Sequence, residues 1–461
     1  MTSSQRALAK SNIDTCSTES REGYANGPSR PAGGAYRCTQ GMSTHWRQSR
    51  RNLARFASSS FLLEWYSVAM LNTSLAPWPS FTPEEAEAIK SVLLSNKVNY
   101  WTGTEGREFE REFSEWSGSA HTVALANGTL ALDVALKALG VGEGDEVVVT
   151  PRSFIASAST VVNAGAAPVF ADVDYDSGNI SAETIAEVLT DRTSAVIPVH
   201  LAGWPCEIGA IIASCTSHGI RVVEDCAQAH GATIDGRSVG TIGDIGAWSF
   251  CQDKIMTTGG EGGMVTTNDQ ELWSKMWSFK DHGKSWDAVY NREHAPGFRW
   301  LHQSFGTNWR MLEVQAAIGR IQLRLMAEWT QRRTLIANSI RHTLGEFSSA
   351  VRCPAAREGM SHAYYRLYGY VRPEGLRGGW NRDRIVAECN LLGAPVMQGT
   401  CSEIYLEKAF EGTSWRPKAR FPVARELGET SLAFLCHPTI TDDQLAEMCA
   451  VVRQVLDRAS R

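Results

Sequence analysis

The chain has 461 residues, 43% hydrophobic and 21% charged, the balance of an ordinary globular protein long enough for more than one domain. Its formal net charge of -5 supplies no broad cationic field to displace counterions, which excludes a general nucleic-acid binder. No apolar run approaches the roughly 20 residues that a bilayer span needs. The eleven cysteines lack CxxC spacing, so no zinc site is expected. Their odd count and apolar neighbours, as at Cys215, Cys389 and Cys449, read as reduced thiols in a cytoplasmic protein.

Residues 1–70 are rich in Ser and Arg and without sustained periodicity, and are expected to be a poorly ordered extension. Asp14, Glu19 and Glu22 dilute the basic character of a transit peptide, and Met70 offers an alternative start. Order is expected from about Pro77. Thr82, Pro83 and Glu85 supply a cap, a first-turn proline and a reciprocal acid for a helix to about Asn96. Apolar β-branched runs then alternate with helical stretches: EVVVT from Glu146, APVFADV from Ala167, TSAVIPVHL from Thr193, GIRVVEDC from Gly219, GAWSF from Gly246 and GGMVTTN from Gly262. With helices such as Thr129 to Leu139 and Cys206 to His218 between them, this alternation predicts an α/β protein with a mainly parallel sheet covered on both faces. A helical tract from Met311 to Leu344 follows, then strand-like YYRLYGYVR from Tyr364 and helices over Arg382 to Leu392 and Thr441 to Arg458. The expected division is a large domain over 77–325 and a smaller C-terminal α+β domain over 326–461.

Ligand sites in open α/β sheets lie where strands deliver their carboxyl ends. Asp225 terminates one apolar run, where a buried acid is costly unless compensated. A lone aspartate there also reads as a helix cap or a paired acid. Lys254, in SFCQDKIMTTGGEGG from Ser249, follows another run and precedes Gly259, Gly260, Gly262 and Gly263. Held partly desolvated, such a lysine becomes nucleophilic, although a single lysine is more readily a solvated charge. The glycines permit unusual backbone angles and close approach, but they form neither a Walker sequence nor a dinucleotide fingerprint. In NGTLALDVALKALG from Asn127, Gly128 and Thr129 open a helix whose free N–H groups and dipole suit a phosphate. Together these are the parts that pyridoxal phosphate requires of a protein.

In NYWTGTEGREFE from Asn99, NGTLAL from Asn127, VTPRSFIAS from Val149, VVEDCAQAHGA from Val222, SFCQDKIMTTGGEGG from Ser249 and GTNWRMLEVQAAIGRIQL from Gly306, the chain resembles the DegT/DnrJ/EryC1/StrS sugar aminotransferases. The resemblance runs from about Pro77 to the carboxyl end and implies the aspartate-aminotransferase fold with pyridoxal 5′-phosphate as cofactor. It further implies that Lys254 is the Schiff-base lysine, that Asp225 pairs with the pyridine nitrogen, and that Gln228 bonds near the phenolic oxygen. Phe154 matches the ring stacked on the cofactor, and Gly128, Thr129 and Ser249 match phosphate ligands. Asn308 matches an asparagine that reaches the phosphate from the neighbouring subunit, so a homodimer with a shared active site is implied. Tyr100, Trp101 and His200 are candidates to line the substrate pocket, each also readable as core, and His230 is undecided.

The implied reaction moves an amino group from an amino acid, L-glutamate foremost, to a keto carbon of a nucleotide-linked deoxysugar, for a surface polysaccharide or secondary metabolite. HLAGWPCEI from His200, with Ala202 and Trp204, and VMQGTCSEIYLE from Val396 depart from the family's usual residues, which leaves the substrate least defined. A cyclitol or aminoshikimate-type acceptor stays open. A sugar dehydratase of this scaffold carries histidine at the lysine position, so Lys254 argues against it; a non-catalytic binding regulator is a remoter alternative. A nicotinamide-dependent oxidoreductase lacks its glycine fingerprint.

Overall fold

The β-branched runs assemble into a seven-stranded sheet. In the computed structural model, residues 69–461 are described except position 72; the expected extension over 1–70 lies outside the described residues but for its last two. In chain order the strands are β1 (His121–Leu125), β2 (Glu146–Val149), β3 (Ala167–Phe170), β4 (Thr193–Ile197), β5 (Arg221–Asp225), β6 (Ile245–Ser249) and β7 (Gly263–Thr267). They lie side by side as β1-β7-β6-β5-β4-β2-β3. Neighbours from β6 through β3 pair in parallel, and β7 runs antiparallel to both β6 and β1.

Alternation along each strand feeds two cores. Val148, Val196, Val222, Trp248 and Met264 face one, and Val147, Val149, Ala195, Ile197, Val223, Ala247 and Val265 face the other. A sheet buried on both faces needs apolar residues at every position, which explains the unbroken runs. Each valine, isoleucine or methionine among them removed from water contributes about 1.5–3 kcal/mol. Strand β1 was not anticipated: HTVAL is short, opens on a histidine, and is held at the sheet edge by β7.

The helix at Thr82 forms as Pro83–Ser95, with Glu85 Oε2 accepting the Thr82 N–H. The described chain is ordered before Pro77, however. Ala69, Leu71 and Leu75 pack on the C-terminal core, and Gln454 Oε1 accepts the Ala69 N–H at 2.6 Å.

The helix Glu313–Gly345 begins beside the sheet core, through Ala316 and Leu323, and ends in a third core through Ile336, Ile340 and Leu344. The division expected between 325 and 326 falls inside it. The third core is closed by an antiparallel sheet of β8 (Val351–Arg352), β9 (Arg366–Val371), β10 (Val396–Met397) and β11 (Ser431–Leu435), ordered β8-β9-β11-β10. The helices Arg382–Leu391 and Asp442–Ala459 cover it.

Candidate active site

Five parallel strands deliver their carboxyl ends to one edge of the sheet, and a cavity of about 730 Å³ opens there. Its floor is the junction of β1 with the helix Gly128–Leu139. Asn127 caps that helix by accepting the Leu130 N–H at 3.0 Å, which leaves the earlier first-turn N–H groups without intrahelical acceptors. A Cβ on Gly128 would overlap Ser249 at the end of β6, and one on Gly263 would overlap the Asn127 carbonyl. The two glycines thus let the helix start press against the strand ends; within the glycine-rich loop only Gly263 makes its close approach to protein backbone, while Gly259 and Gly262 meet the side chains of Ile318 and Thr258.

Asp225 ends β5 buried in this cavity. Its Oδ2 accepts from Ser157 Oγ at 2.9 Å and its Oδ1 from the Ala227 N–H at 3.1 Å. Burial pushes its carboxyl above the usual range, against the pull of those two hydrogen bonds and of the Lys254 charge. Gln228, one turn on, spends Oε1 on the Ala202 N–H at 2.7 Å and keeps its amide nitrogen for the cavity it lines. Ala202 holds a left-handed φ of 57° to make that bond.

Lys254 follows β6, half-buried, with Nζ 5.4 Å from the centre of the Tyr365 ring. Asp253 beside it accepts the Tyr365 hydroxyl hydrogen, and burial drives that phenol well above its ordinary pKa. Phe154 lines the same cavity with 67% of its surface exposed. Arg366, Tyr368, Met397, Gly399 and Thr400 complete the wall from the C-terminal sheet.

The cavity therefore gathers Gly128, Thr129, Phe154, Asp225, Gln228, Ser249 and Lys254. It does not gather the other candidates. His200 is fully buried: Nδ1 accepts the Cys206 N–H at 2.9 Å, so the proton sits on Nε2 and is donated to Glu224 Oε2 at 3.0 Å. Glu224 also accepts from the N–H groups of Gly240, Ile242 and Gly243. The buried His200, Glu224 and Cys226 lie close enough for a metal, but the histidine and glutamate are committed to these hydrogen bonds. Tyr100 is core, donating to Glu110 at 2.9 Å under the Lys280 ammonium, 4.0 Å above its ring. Trp101 stacks on Tyr290 beneath Lys284. Asn308 is exposed outside the cavity. His230 is buried between Trp248 and Phe250 with neither ring nitrogen bonded, and burial lowers its pKa to about 3.

Sequence reading missed Ser157, which had a signal: it stands three residues after Phe154, and both line the cavity. It also missed Tyr365, Arg366 and Tyr368, which carry no local signal because only the fold brings β9 to this edge.

The family model of the DegT/DnrJ/EryC1/StrS aminotransferase family matches residues 79–453. The chain belongs to that family. It is similar to the UDP-N-acetyl-3-dehydro-alpha-D-glucosamine 3-aminotransferase of Acidithiobacillus ferrooxidans, 34% identical over 82% of this chain and 95% of the relative. It is also similar to the L-glutamine:2-deoxy-scyllo-inosose aminotransferase of Streptomyces fradiae, 37% identical over 65% of this chain and 71% of the relative. Among solved structures, the aminotransferase from Psychrobacter cryohalolentis superposes with a TM-score of 0.82 at 58% identity, covering 83% of this chain and 99% of that one. As a DegT/DnrJ/EryC1/StrS aminotransferase with the fold-type I architecture, the protein depends on pyridoxal phosphate. The cavity's donor set fits that group: an exposed flat apolar ring, a buried carboxylate, an amine and a helix amino terminus face one space.

Proposed function

We propose that the protein transfers an amino group from an amino acid, L-glutamate foremost, to the keto carbon of a nucleotide-linked deoxysugar, in the cytoplasm and as a homodimer. The observation that carries the reading is that Lys254 and Asp225 line one cavity with the Gly128–Thr129 helix start and Phe154. Bound there, the cofactor supplies the electron sink that lets nitrogen leave one carbon and join another.

In this reading Lys254 anchors the cofactor and moves a proton at the reacting carbon. Asp225, held as an acceptor by Ser157 and Ala227, keeps the pyridine nitrogen protonated. Gln228 bonds near the phenolic oxygen, while Gly128, Thr129 and Ser249 hold the phosphate and Phe154 orients the ring. Asn308, exposed and outside the lining of its own cavity, serves the neighbouring subunit. The sugar acceptor is supported by the activity named for the Acidithiobacillus relative. A cyclitol ketone is the second reading, favoured by the name of the Streptomyces relative.

The test is spectroscopic and then chemical. L-glutamate shifts the visible absorption band of the purified protein, and Lys254→Ala abolishes the shift. Mass spectrometry with a panel of keto-deoxysugar nucleotides then finds one aminated product together with 2-oxoglutarate. Turnover of a cyclitol ketone alone moves the assignment to the second reading, and turnover of neither class removes both.

A further inference from the structure

Arg152 lies behind the cavity wall and takes no part in the chemistry above. It stands between Pro151 and Ser153, and its side chain is fully buried. Nη1 donates to Ser402 Oγ at 2.7 Å, whereas Nε and Nη2 are buried without a hydrogen-bond partner. No ion pair recorded among the described residues includes it. Its charge meets aromatic rings instead: Cζ lies 5.1 Å from the centre of Tyr368 and 5.5 Å from that of Tyr370. A second arginine, Arg352, stands 4.3 Å from Tyr370 and 3.7 Å from Tyr175, and pairs with Asp176.

The series Tyr175, Arg352, Tyr370, Arg152, Tyr368 alternates ring and cation. It also interleaves two parts of the chain, since 152 and 175 follow strands of the central sheet and 352, 368 and 370 belong to the C-terminal sheet. A guanidinium buried without a carboxylate is costly, and desolvated cation–π contacts offset that cost only while the rings stay in place. Three wall segments converge on this one side chain. Ser153 and Phe154 follow it in the chain, the Tyr368 ring faces it, and Ser402 ties down the loop after β10. Within that loop the Thr400 N–H donates to Tyr368 Oη at 2.8 Å. Gly399, with φ of 96°, approaches the Tyr368 ring so closely that a Cβ would overlap it. Tyr368, Gly399 and Thr400 all line the cavity.

We propose that Arg152 is a positioning residue for the bulkier of the two substrates. Without touching substrate, it fixes how far the wall of Tyr368, Gly399 and Thr400 stands from the cofactor-side segment 153–157. The inference rests on the proposed aminotransferase reading, in which one cavity of about 730 Å³ admits a small amino acid and a larger keto acceptor in turn. The amino acid needs only the space beside Lys254. The acceptor fills the remainder and meets the wall.

The experiment compares wild-type holoenzyme with Arg152→Met and Arg152→Lys, following each half-reaction separately by absorption. The probes are L-glutamate and the keto-deoxysugar nucleotide that turns over in the panel above. Arg152→Met leaves the glutamate half-reaction unchanged and raises the half-saturating acceptor concentration about tenfold, as expected for loss of a charged hydrogen bond and its ring contacts. Arg152→Lys, which keeps a cation at the rings and a donor toward Ser402, recovers most of that loss. Equal losses in both half-reactions, or none in either, overturn the proposal. If Arg152→Met gives no folded holoenzyme, Ser402→Ala removes the 2.7 Å bond alone. A raised acceptor requirement with an intact glutamate half-reaction then supports the proposal, and no change overturns it. Failure of the aminotransferase reading appears in the wild-type protein itself and takes this proposal with it, whereas failure of the positioning role appears only in the variants.

Discussion

Phe154 presents an apolar ring that is 67% exposed at the mouth of a cavity, next to a buried carboxylate. Leaving that face in water is unfavourable until something planar covers it. Stacking contributes about 1 kcal/mol beyond simple area burial, so Phe154→Ala is expected to weaken cofactor retention about fivefold or more. Titrating pyridoxal phosphate into the apoprotein by fluorescence measures it, with Phe154→Tyr close to wild type; an unchanged affinity would place the cofactor elsewhere. Much of this site was legible one residue at a time, since Asp225 and Lys254 stand just past apolar runs and Gly128 opens a helix. His200 was legible only as a polar residue after a strand. What decides its environment is Glu224 on the neighbouring strand, and that pairing exists only once the sheet has formed.

At the scale of elements, contacts between strand ends and helix starts do the positioning. Gly128→Ala is expected to push the helix Gly128–Leu139 off Ser249, because the added carbon has no space. The expected result is lower affinity for pyridoxal phosphate together with an apoprotein destabilised by about 1–3 kcal/mol, measured by cofactor titration and calorimetry. Glu224 ties β5 to the turn over 240–243. Burial acts to raise its carboxyl, but the hydrogen bonds from His200, Gly243 and Gly240 outweigh it and hold the group below the ordinary range. A depressed folded value means that its contribution is present above the unfolded pKa and is lost as pH falls through the folded one. Glu224→Gln should therefore cost about 3 kcal/mol near neutral pH and flatten the acid side of the stability profile. Denaturant melts across pH check this, and a variant as stable as wild type at neutral pH would refute it. The strands and helices themselves were readable because period and capping are local. Strand β1 was not, since a short edge strand draws its stability from the partner beside it.

At the scale of the whole molecule, the segment 298–308 exposes Phe298, Trp300 and Phe305, the last completely, and ends on Asn308. An aromatic patch of that kind marks a contact surface, which accords with the proposed dimer. Lys254→Ala and Asn308→Ala are each expected to be nearly inactive. Mixed and reassociated, they should recover about a quarter of wild-type activity, since half the dimers are hybrids and each hybrid holds one intact site. No recovery, with hybrids demonstrated by mass, would show that each site is built from a single chain. This association left no mark in composition or periodicity; only the family resemblance at Asn308 pointed to it.

The reversed direction of β7 has a bearing on where chemistry can sit. Had that strand run with its neighbours, the chain leaving Ser249 would have travelled back along the molecule through a crossover to begin again at the opposite rim. Because β7 returns beside β6 instead, the stretch 250–262 stays on the rim where it started. Lys254 is thus tethered from both sides at the place where the other strands end, and its reach toward Asp225 needs no long mobile arm.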